Sequence, residues 1–146
     1  MFAALEIKQV MERGTIKYAS EKVRSVRGLR RTSAPVPYVE GKYKPKELYP
    51  IIGGLLTMDS GWKPPLGEAF EKALYESGGS GRLDIGCALR DGAFEIGDED
   101  RSLTRSEADA ALIFFVVRLL RRLQKMASPP AIEYDEHGRA LGPSTE

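Results

Sequence analysis

An α+β domain, with an antiparallel sheet crossed by a long C-terminal helix, is the fold class predicted by three stretches of this 146-residue sequence. In "RLDIGCALRDGAFEIG" (82–97), Leu83, Ile85, Cys87 and Leu89 alternate inward, Asp91-Gly92 supplies a turn, and Phe94 and Ile96 return, which predicts a β-hairpin. In "TRSEADAALIFFVVRLLRRLQKMASPP", a capping-box spacing Thr104-x-x-Glu107 opens a helix over 105–127 and Pro129-Pro130 close it. Residues 1–50 differ from the rest, carrying eleven Lys and Arg against five Asp and Glu, so they read as a basic N-terminal region ending in an extended arm or strap. The domain organisation follows: residues 1–50 as that arm, and 51–146 as a single α+β domain.

Taken in order, Phe2 to Glu12 reads as a short helix, with Ala3, Ile7, Val10 and Met11 on one side and Gly14 as its stop. "TIKYASEKVRSVRGLRR" combines strand-like alternation of Ile16 and Tyr18 with helical spacing of Ala19, Val23 and Val26. A strand followed by a helix capped by Ser20 and stopped at Gly28 accounts for both. "TSAPVPYVEGKYKPKELYP" (32–50) holds four prolines and is predicted to be extended, because proline fixes φ and biases its predecessor away from helix. "IIGGLLTM" reads as a buried strand with a bulge or bend at Gly53-Gly54. A shorter helix is expected over 66–76, and "GGSG" (78–81) as a flexible connector. A second small hairpin is expected in "AIEYDEHGRALG" (131–142).

The uninterrupted apolar run in the long helix, Ala110 to Val117, is eight residues, and a bilayer span needs about 20. No membrane partner is expected. The first half of that helix reads as buried on all sides. Leu112, Val116, Leu119, Leu123 and Met126 form one seam, read as core-facing or as partly shared with a second subunit. Leu119, Leu123 and Met126 with Trp62, itself a lid over the core or an exposed anchor, are the candidate interface.

Composition fits a globular protein, at 42% hydrophobic and 29% charged residues. A lone cysteine and no signal-peptide pattern point to a cytoplasmic protein. Cys87 and His137 are the only residues of their kinds, which excludes a structural zinc site within one chain, and Cys87 is in phase with buried positions. The acidic run at 98–109 lacks the glycine and bidentate glutamate of a calcium loop. No nucleotide-binding, hydrolase or metalloprotease motif is present, so no catalytic residue, metal or cofactor is assigned.

The remaining signal is basic and aromatic. Arg24, Arg27, Arg30, Arg31, Lys42 and Lys44 are candidate contacts to phosphates or to an acidic protein surface, with Tyr38 and Tyr43 as stacking groups. The functional expectation is a non-catalytic accessory or assembly subunit that binds nucleic acid or an acidic partner and forms a homo-oligomer or part of a larger assembly. Two alternatives stand beside it: a structural subunit held by its arm without nucleic-acid contact, and a small enzyme with an unrecognised carboxylate site.

Overall fold

The computed structural model describes residues 3–31, 36–38, 41–43 and 48–126. The chain opens with β1 (Ala3–Ile7) and the short β2 (Val10–Met11), not with the expected helix over 2–12. β1 runs parallel to β5 (Ile52–Thr57), in register from Ala3 opposite Ile52 to Ile7 opposite Leu56. Pairing with a strand of almost wholly buried residues overrides a local spacing that suits either period.

Helix α1 (Arg13–Arg27) follows directly, replacing the expected strand-then-helix. It buries Ile16, Ala19, Ser20 and Val23, a stripe at i, i+3, i+4 and i+7. Ser20 does not cap the helix. Its hydroxyl sits in the helix interior and donates to the Ser77 carbonyl at 2.6 Å. Arg24 and Arg27 occupy the last turn, where positive charge suits the helix's negative end, and Gly28 closes it.

Within the predicted extended stretch, β3 (Val36–Tyr38) and β4 (Gly41–Tyr43) form a small antiparallel pair. After β5, β6 (Asp59–Ser60) pairs with β2, and α2 (Glu68–Glu76) buries Phe70, Ala73 and Leu74. "GGSG" is not a loose connector. Gly79–Gly81 form a 3-10 turn against α1, and a Cβ on Gly81 would lie 2.6 Å from the Ser20 carbonyl oxygen.

The hairpin at 82–97 forms as expected, with β7 (Ile85–Ala88) antiparallel to β8 (Gly92–Ile96). Leu83, Ile85 and Cys87 are buried, but Leu89 is exposed. Thr104 does not cap the long helix, because it belongs to β9 (Leu103–Arg105), and α3 begins only at Ala111 and runs to Met126.

The sheet order is β1-β5-β7-β8-β9 among the described residues. β1, β5 and β7 are mutually parallel, while β7, β8 and β9 are antiparallel. The sheet is therefore mixed, not antiparallel as predicted, because α1 and α2 act as crossovers that return the chain to the same end. α1 and α2 cover one face, where Phe70 packs edge-on to Phe94 at 5.1 Å between ring centres. α3 covers part of the other, with Ala111 and Phe115 against Ile52, Ile85, Cys87 and Ala93.

Two consequences correct the sequence reading. Residues 3–31 are not part of an outlying arm: they supply an edge strand and a layer of the core. The first half of α3 is not buried on all sides, since Leu112, Ile113, Val116, Val117 and Leu120 are exposed on its outer side. One helix over one face of a sheet buries only a stripe. The tail hairpin, with His137, lies outside the described residues.

Candidate functional site

Because side chains alternate along a strand, Ala4, Glu6 and Lys8 project from β1 and its extension toward α1, while Ala3, Leu5 and Ile7 project toward the α3 side. The Lys8 amide donates to the Leu56 carbonyl at 2.9 Å, which prolongs the ladder past the end of β1 and keeps Lys8 in register with Glu6. Lys8 Nζ lies 3.1 Å from Glu6 Oε1, with the side chains 41% and 24% exposed. A carboxylate and an ammonium thus stand side by side at one edge of the sheet, within reach of solvent.

α1 adds a third and a fourth group. Tyr18 and Lys22 are one helical turn apart on its flank, next to the buried stripe. Lys8 Nζ lies 4.5 Å from the centre of the Tyr18 ring and Lys22 Nζ lies 5.2 Å from it. Both distances are within cation–π range. The cluster therefore presents one acidic group, two ammoniums and an aromatic face. It is suited to grip an anionic ligand and to polarise a bond within it.

The basic residues singled out from sequence are dispersed. Arg27 is turned inward: its guanidinium donates to the carbonyls of Ile51 (2.9 Å) and Arg82 (2.7 Å) and to Asp84 Oδ2 (2.6 Å). Asp84, 5% exposed, also accepts from Arg82 and from the Gly53 amide. Arg31 donates to the Tyr49 carbonyl at 2.8 Å, while Arg24 and Arg30 are exposed. Tyr38, Lys42 and Tyr43 lie on β3 and β4, and Lys44 falls outside the described residues. The cleft of about 470 Å³ between α1, α2 and α3 is lined by Arg27, Arg82 and Arg122, each already held by carboxylates.

Leu119, Leu123 and Met126, read as an interface seam, pack against the core beneath α3. Trp62 is half-buried, edge-on to Phe70 at 5.6 Å. Burial pushes the Cys87 thiol up to about 11, as befits an inert core residue. Among the described residues no helix is long and apolar enough to cross a membrane.

Glu6 and Lys8 were missed because a helical reading of 2–12 places i and i+2 on different sides. The available signal was the alternation Leu5-Glu6-Ile7-Lys8, apolar and charged by turns, which is the period of a strand with one open face.

No family model matches the chain. It is 40% identical over 141 residues to the endodeoxyribonuclease NucC of Escherichia coli (strain MS 115-1), and 39% identical over 141 residues to that of Pseudomonas aeruginosa. Each match covers 97% of this chain and 58% of the relative, so the chain spans little more than half the length of either. The E. coli NucC apo structure superposes with a TM-score of 0.80 at 40% identity, covering 96% of this chain and 62% of that one. The P. aeruginosa NucC structure, in its cAAA-bound form, gives 0.82 at 39% identity over 96% of this chain and 58% of that one. Likeness of this extent to endodeoxyribonucleases overturns the expectation of a non-catalytic accessory, assembly or structural subunit. That expectation rested on the basic charge of residues 1–50, of which Arg27 is turned inward onto Asp84, and it left out the Glu6–Lys8 pair on β1.

Proposed function

We propose that this chain carries the strand-cleaving centre of an endodeoxyribonuclease, with DNA as substrate and Glu6 and Lys8 as the reacting groups. The observation that carries the reading is their side-by-side placement, 3.1 Å apart and open to solvent, on a chain that resembles DNA-cleaving proteins along nearly its whole length.

Hydrolysis of a phosphodiester requires a water oxygen to attack phosphorus while the bond to the leaving oxygen breaks. Negative charge builds on the non-bridging oxygens as it does so. Lys8 offers three donors and a full positive charge to those oxygens, the type of stabilisation worth about 10²–10³ in rate. Glu6 accepts a hydrogen bond from the attacking water, holds it in line and takes up its proton as the new P–O bond forms, while the leaving oxygen departs with a proton from solvent water. Lys22 adds a cation where the flanking backbone would lie.

Divalent cations commonly assist this chemistry. Among the described residues no group of three or more His, Cys, Asp or Glu is arranged to hold a metal ion, whereas a magnesium ion is usually held by one or two carboxylates together with substrate phosphates and water. Glu6 is a hard oxygen donor of the kind such an ion takes, and one of its two oxygens faces Lys8.

The reading is tested by incubating the purified chain with supercoiled plasmid in magnesium buffer, with and without cAAA, the ligand of the bound NucC structure. Nicked or fragmented DNA is expected, with Glu6→Gln and Lys8→Met each slowing cleavage by about 100-fold or more. Intact plasmid under both conditions, or cleavage by Glu6→Gln at the wild-type rate, overturns it.

A further inference from the structure

A lysine that serves at a reacting phosphate has a mechanical problem. Its ammonium rides on a flexible four-carbon stem, and Lys8 is 41% exposed, so few neighbours restrict it. Glu6 restrains it on one side at 3.1 Å. The face of Tyr18, 4.5 Å from Lys8 Nζ, restrains it on another. Tyr18 is itself held in place by the helix that buries Ile16 and Ala19, and it is shared with Lys22 at 5.2 Å.

Resting on the nuclease reading, we propose that Tyr18 is a positioning residue for Lys8. Its ring is a platform on which two ammoniums are spread, Lys8 toward the scissile phosphate and Lys22 toward a neighbouring phosphate of the same strand. The ring supplies what the site needs: a flat, negatively polarised face that attracts a cation without neutralising it, as a second carboxylate would. The phenolic hydroxyl plays no part in this, and none of the described hydrogen bonds to a protein partner uses it. The geometry distinguishes the ring from a mere spacer, since an aliphatic side chain of similar bulk fills the same volume but offers no attraction to an ammonium.

The test uses the wild-type chain, Tyr18→Phe and Tyr18→Leu. Tyr18 is 42% exposed, so neither substitution opens a core cavity. Tyr18→Phe is expected to cleave DNA like wild type. Tyr18→Leu is expected to lose about fivefold or more in kcat, in line with a lost cation–π contact, with a smaller change in KM. In parallel, NMR of ¹³C-lysine-labelled protein reads the ε-methylene protons of Lys8. These are expected to be shifted upfield by the ring current in wild type and Tyr18→Phe, and to return to the ordinary lysine position in Tyr18→Leu.

A wild-type kcat in Tyr18→Leu overturns the proposal, as does the absence of an upfield Lys8 signal in wild type. Equal loss in Tyr18→Phe and Tyr18→Leu overturns it too, because the hydroxyl and not the ring is then at work. If the Lys8 signal is shifted but the wild-type chain cuts no DNA, the nuclease reading fails and takes the positioning role with it, and the NMR result separates that case from a misplaced ring.

Discussion

Arg27 shows how little a side chain's charge says about its task. Its guanidinium ties the Ile51 and Arg82 carbonyls to Asp84 and so fastens the end of α1 to the approach to β5 and the approach to β7. Asp84 accepts from Arg27, Arg82 and the Gly53 amide, and at 5% exposure it cannot exchange those partners for water. Breaking a buried pair from one side is costly because the other charge is stranded. Arg27→Ala is accordingly expected to lower stability by about 3 kcal/mol, whereas the exposed Arg24→Ala stays within about 0.5 kcal/mol of wild type. Urea denaturation of the two variants checks this. An unaltered midpoint for Arg27→Ala would return that residue to the surface role its sequence context suggests.

At the level of elements, β5 is where backbone and packing meet most tightly. A Cβ on Gly53 would stand 2.7 Å from Val23 Cγ1 and 2.9 Å from the Arg82 carbonyl oxygen. The glycine therefore lets α1 lie close against the sheet and is not the bulge its sequence suggested. Gly53→Ala is expected to cost about 1–3 kcal/mol through overpacking from both sides, read as a lower thermal midpoint, and a neutral result would show that α1 can retreat. The same element explains what was legible beforehand. The 85–96 hairpin could be read because both its strands and its turn lie within one short window, and α2 because its apolar spacing is local. β1 could not be read so, since its strand character depends on a partner some fifty residues away, and Ala3, Ile7, Val10 and Met11 satisfy a helix as well. With β1 went Glu6 and Lys8, so the candidate site was hidden by an element whose pairing is entirely long-range.

Across the whole molecule, the two faces of the sheet are unequal. α1 and α2 shield one, while α3 alone lies over the other and turns Leu112, Ile113, Val116, Val117 and Leu120 outward. A contiguous apolar ridge of this kind favours association in water. Ile113→Lys combined with Val117→Lys is expected to leave the thermal midpoint nearly unchanged, as both side chains are more than half exposed, and to reduce light scattering and binding of an apolar dye. A large drop in midpoint would mean that the ridge is part of the folded core. The candidate site lies on the other face, under α1. Glu6 and Lys8 are aligned by the pairing of β1 with β5, and Tyr18 and Lys22 by the seating of α1 on that sheet, so the four meet only once chain some fifty residues further on is in place.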